Sequence, residues 1–119
     1  MSLDSRQKAK KIDQLETKLD NLKREYHEKQ DEIFNVYRQG NRYLNQQHDV
    51  CYNVLIALDI HEEIKIKTGY LFEEFGDGLM RHRKKAETQL YDEFQVKQKD
   101  LNKQLDEIES KTNDKRKEN

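Results

Sequence analysis

Ile12-Asp13-Gln14-Leu15-Glu16-Thr17-Lys18-Leu19-Asp20-Asn21-Leu22-Lys23-Arg24-Glu25-Tyr26 places an apolar residue at steps of three and four, with charged or amide residues at most positions between. Ile12, Leu15, Leu19, Leu22 and Tyr26 therefore share one face of an α-helix, and the seven-residue repeat makes that face a coiled-coil seam. Carried forward, the repeat puts position a at 12, 19, 26, 33, 40, 47 and 54, and position d at 15, 22, 29, 36, 43, 50 and 57. Lys29, Gly40 and Gln47 interrupt it. Beyond Val36 the neighbours Tyr37, Leu44, Cys51 and Leu58 are apolar too, so the stripe widens into a broad face.

The rest of the chain keeps to helix. Its 119 residues hold no proline, no tryptophan and four glycines, and 39% of them are charged. A mixed α/β domain of this size needs Gly- and Pro-built turns every ten residues or so, and these are missing. From Phe72 the apolar beat lengthens to eleven: Leu79, Leu90, Leu101 and Thr112; Phe72, Arg83, Phe94 and Leu105; Phe75, Ala86, Lys97 and Ile108. Such a repeat runs nearly straight.

Two such stripes predict an all-α, coiled-coil-like antiparallel helical hairpin in a single domain, 1–119. Helix 1 is expected over about 4–60 and helix 2 over about 70–112, with a turn near 59–69 and a frayed tail at 113–119. Setting Leu22 against Leu105 aligns Leu19 with Ile108, Tyr26 with Leu101, Ile33 with Phe94 and Tyr37 with Leu90. One residue off that alignment, Gly40 meets Ala86, Lys29 meets Lys97, Val54 meets Phe72 and Cys51 meets Phe75. A slip by one repeat matches some of the same pairs. The expected hairpin core is Ile12, Leu15, Leu19, Leu22, Tyr26, Ile33, Val36, Leu90, Phe94, Leu101, Leu105 and Ile108. Gly40 reads as continuous helix, whereas Gly76-Asp77-Gly78 leaves open a kink or a short separate helix at 70–78.

Hydrophobicity beyond the needs of the seam collects near the turn. Val50 to Leu58 is apolar at all but one position, and Tyr70, Leu71, Phe72, Phe75, Leu79 and Met80 lie close to it in a hairpin. The predicted partner-binding residues are Val50, Tyr52, Leu55, Ile56, Tyr70, Leu71, Phe72, Phe75, Leu79 and Met80, with Gly40 and Ala86 as a thin waist. Folding of the turn end over itself is the alternative reading.

Chemistry-bearing constellations are absent from the pattern. His27, His48, His61 and His82 stand singly, without metal-ligand spacing. Cys51 sits on the apolar stripe, where a packed thiol is expected, and as the single cysteine it has no disulfide partner within the chain. Gly76-Asp77-Gly78 lacks the lysine and further glycines of a phosphate loop. No catalytic residue, metal or cofactor is expected, and the chain does not read as an enzyme. Lys and Arg number 23 against 24 acids, and residues 1–60 carry ten of each sign, so no basic face of the nucleic-acid-binding kind is expected. Arg81-His82-Arg83-Lys84-Lys85 is one short basic run, read as a solvated or partner-facing turn of helix. No apolar run reaches the roughly 18 residues of a membrane span, and the first residues lack the apolar core of a signal peptide. A cytoplasmic protein is the expectation.

Ile12-Asp13-Gln14-Leu15-Glu16 at the start, Tyr70-Leu71-Phe72-Glu73-Glu74-Phe75-Gly76 at the centre and Leu101-Asn102-Lys103-Gln104-Leu105-Asp106-Glu107-Ile108 near the end resemble the small helical proteins associated with LXG toxins of Gram-positive bacteria, particularly their second class, which are relatives in shape of the WXG secretion family. There is no Trp-x-Gly turn. Phe75 and Leu79 keep the FxxxLxxxxD spacing of the first class, but Lys84 stands in place of its Asp. Tyr70 and Glu74 match the YxxxE form of a type VII export signal, mid-chain, where it reads as a chance match. The resemblance implies a non-catalytic targeting factor or chaperone that binds the helical N-terminal domain of an LXG toxin, with or without a second small helical protein, for type VII secretion. Export along with the toxin stays open. The alternative function is a self-assembling coiled-coil scaffold or adaptor, which would form a homo-oligomer.

Overall fold

The computed structural model describes residues 4–118, with side chains as far as Ser110. The fold is an all-α hairpin of two helices, α1 (Ser5–Ala57) and α2 (Glu62–Glu118). Packing divides the described residues into two units: unit 1 comprises 4–29 and 89–118, and unit 2 comprises 30–88.

Local chemistry sets the ends of the helices. Asp4 caps α1: its Oδ1 accepts the Gln7 N–H at 2.7 Å, while its carbonyl accepts the Lys8 N–H at 3.0 Å. The other end of α1 closes in a Schellman turn. The Ile60 N–H reaches the Leu55 carbonyl and the Asp59 N–H reaches the Ile56 carbonyl, both at 3.0 Å. Asp59 occupies the left-handed position, with φ of 50°, which glycine fills in most such turns. The His61 carbonyl then accepts the Ile64 N–H at 3.0 Å and α2 begins, with Glu62 and Glu63 in its first turn where the helix dipole favours acids.

The connection is thus shorter and earlier than the sequence pattern predicts. Residues 58–61 make the turn, and 62–69 are already helix. Gly76-Asp77-Gly78 does not interrupt α2, and no glycine takes a positive φ. Each helical glycine costs about 1 kcal/mol, which a helix anchored by Phe72 and Leu79 on either side absorbs. Residues 113–118 of the expected frayed tail also belong to α2; Asn119 lies outside the described residues.

The register is corrected by one repeat. Tyr26 stacks on Phe94 with centroids 4.4 Å apart, in place of Leu101. Gly40 meets Leu79 in place of Ala86: a Cβ at Gly40 would lie 3.4 Å from Leu79 Cδ1. Phe72 meets His48 in place of Val54, edge-on at 5.2 Å. Position numbers of facing residues now sum to 119 or 120, six or seven below the expected values, because the tight turn is centred between Asp59 and Ile60. A heptad pattern is blind to a slip of seven, so only the turn could set it.

Unit 1 is built on the seam that opens the sequence. Leu15 is 7% exposed, the most buried hydrophobic among the described residues. Ile12, Leu19, Leu22, Tyr26, Leu90, Phe94, Leu101, Leu105 and Ile108 are half-buried around the same interface. All ten expected core residues of this unit are buried or half-buried, although Tyr26 meets Phe94 where Leu101 was expected.

Unit 2 uses a shifted face of α1. Gln30, Ile33, Tyr37, Gly40, Leu44, Gln47, Cys51 and Leu55 are half-buried, whereas Val36, Tyr43, Val50, Val54 and Ala57 are exposed. Position d has moved on by one residue, through eleven residues and three turns between Leu22 and Ile33. A straight helix drifts by about 20° per heptad, and this step absorbs the drift. Val36, expected in the core, is therefore 69% exposed. On α2 the seam holds Phe72, Gly76, Leu79, Arg83 and Ala86.

Candidate functional site

The shifted seam leaves the old d positions on its flank. Val36, Tyr43 and Val50, seven residues apart, form an exposed apolar line along α1 in unit 2. On α2, Leu71, Phe75, Gly78 and His82 recur at helical spacing. Between the two lines runs an open groove of about 620 Å³ whose walls include Tyr43, Leu44, Leu71, Phe75 and Leu79, with Gly40 and Gly78 in its lining and Glu74 and Arg81 among its polar residues. A neighbouring hollow of about 410 Å³ includes Val36, Tyr37 and Ala86 and shares Leu79 and His82 with it.

Of the residues expected to bind a partner, Val50, Tyr52, Ile56, Tyr70, Leu71 and Phe75 are exposed. The other four are half-buried. Phe72 and Leu79 belong to the hairpin's own packing against His48 and Gly40, Leu55 closes the Schellman turn, and Met80 lies beside the seam. Gly40 and Ala86 form no thin waist, since the Leu79 side chain fills the space over Gly40. Sequence reasoning missed Phe34, Ile64, Ile66 and the outward turn of Val36 and Tyr43. The widening stripe Tyr37, Leu44, Cys51 was the signal, because it marks where the seam goes and hence which residues it abandons.

Arg83 is the other residue whose role the pattern hid. Within the basic run it alone turns into the seam, 5.0 Å from the Phe34 ring centroid and 4.9 Å from that of Tyr37, with Nε donating to Glu87 Oε1 at 2.8 Å. Its charge is held over two aromatic faces and one carboxylate. Arg81, Lys84 and Lys85 remain outside and exposed.

Cys51 is a free, half-buried thiol on the seam. Among the described residues no group of three or more His, Cys, Asp or Glu is placed to hold a metal ion, and no helix is long and apolar enough to cross a membrane. The arrangement offers apolar area flanked by charge, the chemistry of helix-on-helix docking. No family model matches the chain, and no curated protein or solved structure does so either.

Proposed function

We propose that the chain is a non-catalytic binding protein that docks helices of another protein on unit 2. One observation carries the reading: among the described residues, thirteen of the fifteen exposed large hydrophobics lie between Phe34 and Phe75. Burying such a side chain contributes roughly 1.5 to 3 kcal/mol, and Tyr43, Leu71 and Phe75 among them line the groove, so a helix laid there gains apolar contact. The preferred partner is the helical N-terminal domain of an LXG-type toxin, which the chain would escort to type VII secretion from the cytoplasm. This choice rests on the sequence resemblance, and the exposed Tyr70, Leu71 and Phe75 of the central segment support it.

The test is binding of an LXG N-terminal domain to Tyr70→Asp and Phe75→Asp. Both positions are exposed in the free chain, so helicity by circular dichroism should stay unchanged while affinity falls at least tenfold. Unchanged affinity in both variants would refute the assignment.

A further inference from the structure

The shifted seam leaves a second seven-residue repeat on the groove side of unit 2. On α2, Thr68, Phe75 and His82 stand seven apart, and so do Ile64, Leu71 and Gly78. These are positions a and d of a heptad, and Ile64, Leu71, Phe75 and His82 among them are exposed. Position e of the same repeat holds Lys65, Phe72, Leu79 and Ala86, all half-buried; position g holds Lys67, Glu74 and Arg81. On α1, Val36, Tyr43, Val50 and Ala57 keep the same period and are exposed. Two exposed lines of period seven form the surface that a third coiled-coil strand covers, whereas an extended peptide would match a period of two.

Charge inside the groove sits only on its α2 wall. Glu74 and Arg81 line it one heptad apart, with His82 beside Arg81, while α1 contributes Gly40, Tyr43 and Leu44. Neither Glu74 nor Arg81 makes an ion pair among the described residues, whereas Lys67, the third g residue, pairs with Glu63 at 3.3 Å. In coiled coils, residues at g select the partner through opposite charges on the facing strand. Between the two in sequence, Gly78 leaves a recess: a Cβ there would meet only Arg81 Nη2, at 3.9 Å.

We infer that the groove of unit 2 takes one amphipathic helix of another protein, roughly three heptads long, as the third strand of a coiled coil. The length follows from the walls: at 1.5 Å per residue, Val36 to Ala57 spans about 32 Å and Ile64 to His82 about 27 Å. The core positions of this helix are apolar, with a bulky side chain over Gly78. Its flank carries a base against Glu74 and an acid against Arg81, one heptad apart. The inference rests on the reading of unit 2 as a helix-docking surface and says which helix it takes. The opposed pair selects the partner and the direction in which it lies, because a helix with like charges at both places meets repulsion at one of them.

The probe is a labelled synthetic helix of that length with leucine at its core positions, kept at nanomolar concentration so that it does not pair with itself. The full chain is titrated into it and binding is read by fluorescence anisotropy. In one peptide, glutamates flank the core in one heptad and lysines in the next; in the other two, both heptads carry lysine or both carry glutamate. Wild type should bind the mixed peptide at least about threefold more tightly than either of the others. Arg81→Glu should shift the preference to the lysine peptide, and Glu74→Lys to the glutamate peptide. Both positions are exposed, so helicity should not change. Equal affinity for all three peptides, or a preference that the variants leave in place, would overturn the inference. So would a wild-type chain that self-associates and excludes every peptide, which would give the groove to a second copy. If an LXG N-terminal domain binds through Tyr70 and Phe75 while the peptides are not told apart, the inference fails and the proposed function stands. Selection among the peptides without binding of the toxin domain keeps the inference and removes that partner.

Discussion

Unit 1 and unit 2 are made of the same two helices and spend their hydrophobicity differently. In unit 1, ten apolar residues line one narrow seam, and only Tyr91 and Val96 are large hydrophobics left outside it among the described residues. In unit 2, the seam admits Gly40, Gln47, Gly76 and Arg83, while Val36, Tyr43, Val50, Tyr70 and Phe75 face solvent. A two-helix interface needs one stripe per helix. Unit 1 has that and little more; unit 2 has a second stripe, which stays exposed and which we propose another chain covers.

The contrast can be broken in several places. The largest effect on stability is expected at Leu15: Leu15→Ala should cost about 2 to 3 kcal/mol by the loss of a buried side chain, read from urea unfolding followed by circular dichroism. Val36→Ala, from the line expected in the core but found exposed, should cost under about 0.5 kcal/mol. Equal losses would erase the distinction between closed seam and open flank.

A second comparison sets Phe75 against Val96, which are 54% and 69% exposed in units 2 and 1. Phe75→Asp should weaken association with a second copy or a helical partner at least tenfold, and Val96→Asp should leave it unchanged in the same titration. A loss confined to Val96→Asp would move the docking surface to unit 1. Arg83→Ala should cost about 1 to 1.5 kcal/mol by removing the cation from the Phe34 and Tyr37 rings. Arg83→Lys should recover part of this, because an ammonium keeps the charge but loses the planar stacking.

Two smaller changes should stabilise. A Cβ at Gly76 meets nothing within 4 Å, so Gly76→Ala should raise stability by about 1 kcal/mol through helix propensity. Asp59→Gly should add about 0.5 kcal/mol by relieving the left-handed position in the Schellman turn. A loss in either case would mean that unit 2 relies on contacts these positions do not show.

How far the sequence led depends on which unit is considered. Ile12 to Tyr26 reads directly as the unit 1 seam, since a strict heptad leaves one choice of face. In unit 2 the heptad placed Val36, Tyr43 and Val50 in the seam and was off by one residue, because the repeat was extended across a point where the helix drops one phase. The hairpin register was ambiguous by seven for a physical reason: every heptad looks like the next, and the unique marker, a Schellman turn at Asp59, carries aspartate where glycine would have announced it. The charge pair was hidden differently. Glu74 and Arg81 are two among many charges of α2, and they stand apart only once the fold lines the groove with them.

Hydroxyl-radical footprinting tests the central claim, that unit 2 is the surface another chain covers, within a single sample. Tyr43, Tyr70 and Tyr91 are all well exposed in the lone chain and carry the same reactive ring. In the assembled state, Tyr43 and Tyr70 should be modified severalfold more slowly than in the dilute monomer, with Tyr91 unchanged. Protection of Tyr91 with Tyr43 and Tyr70 still reactive would contradict the account.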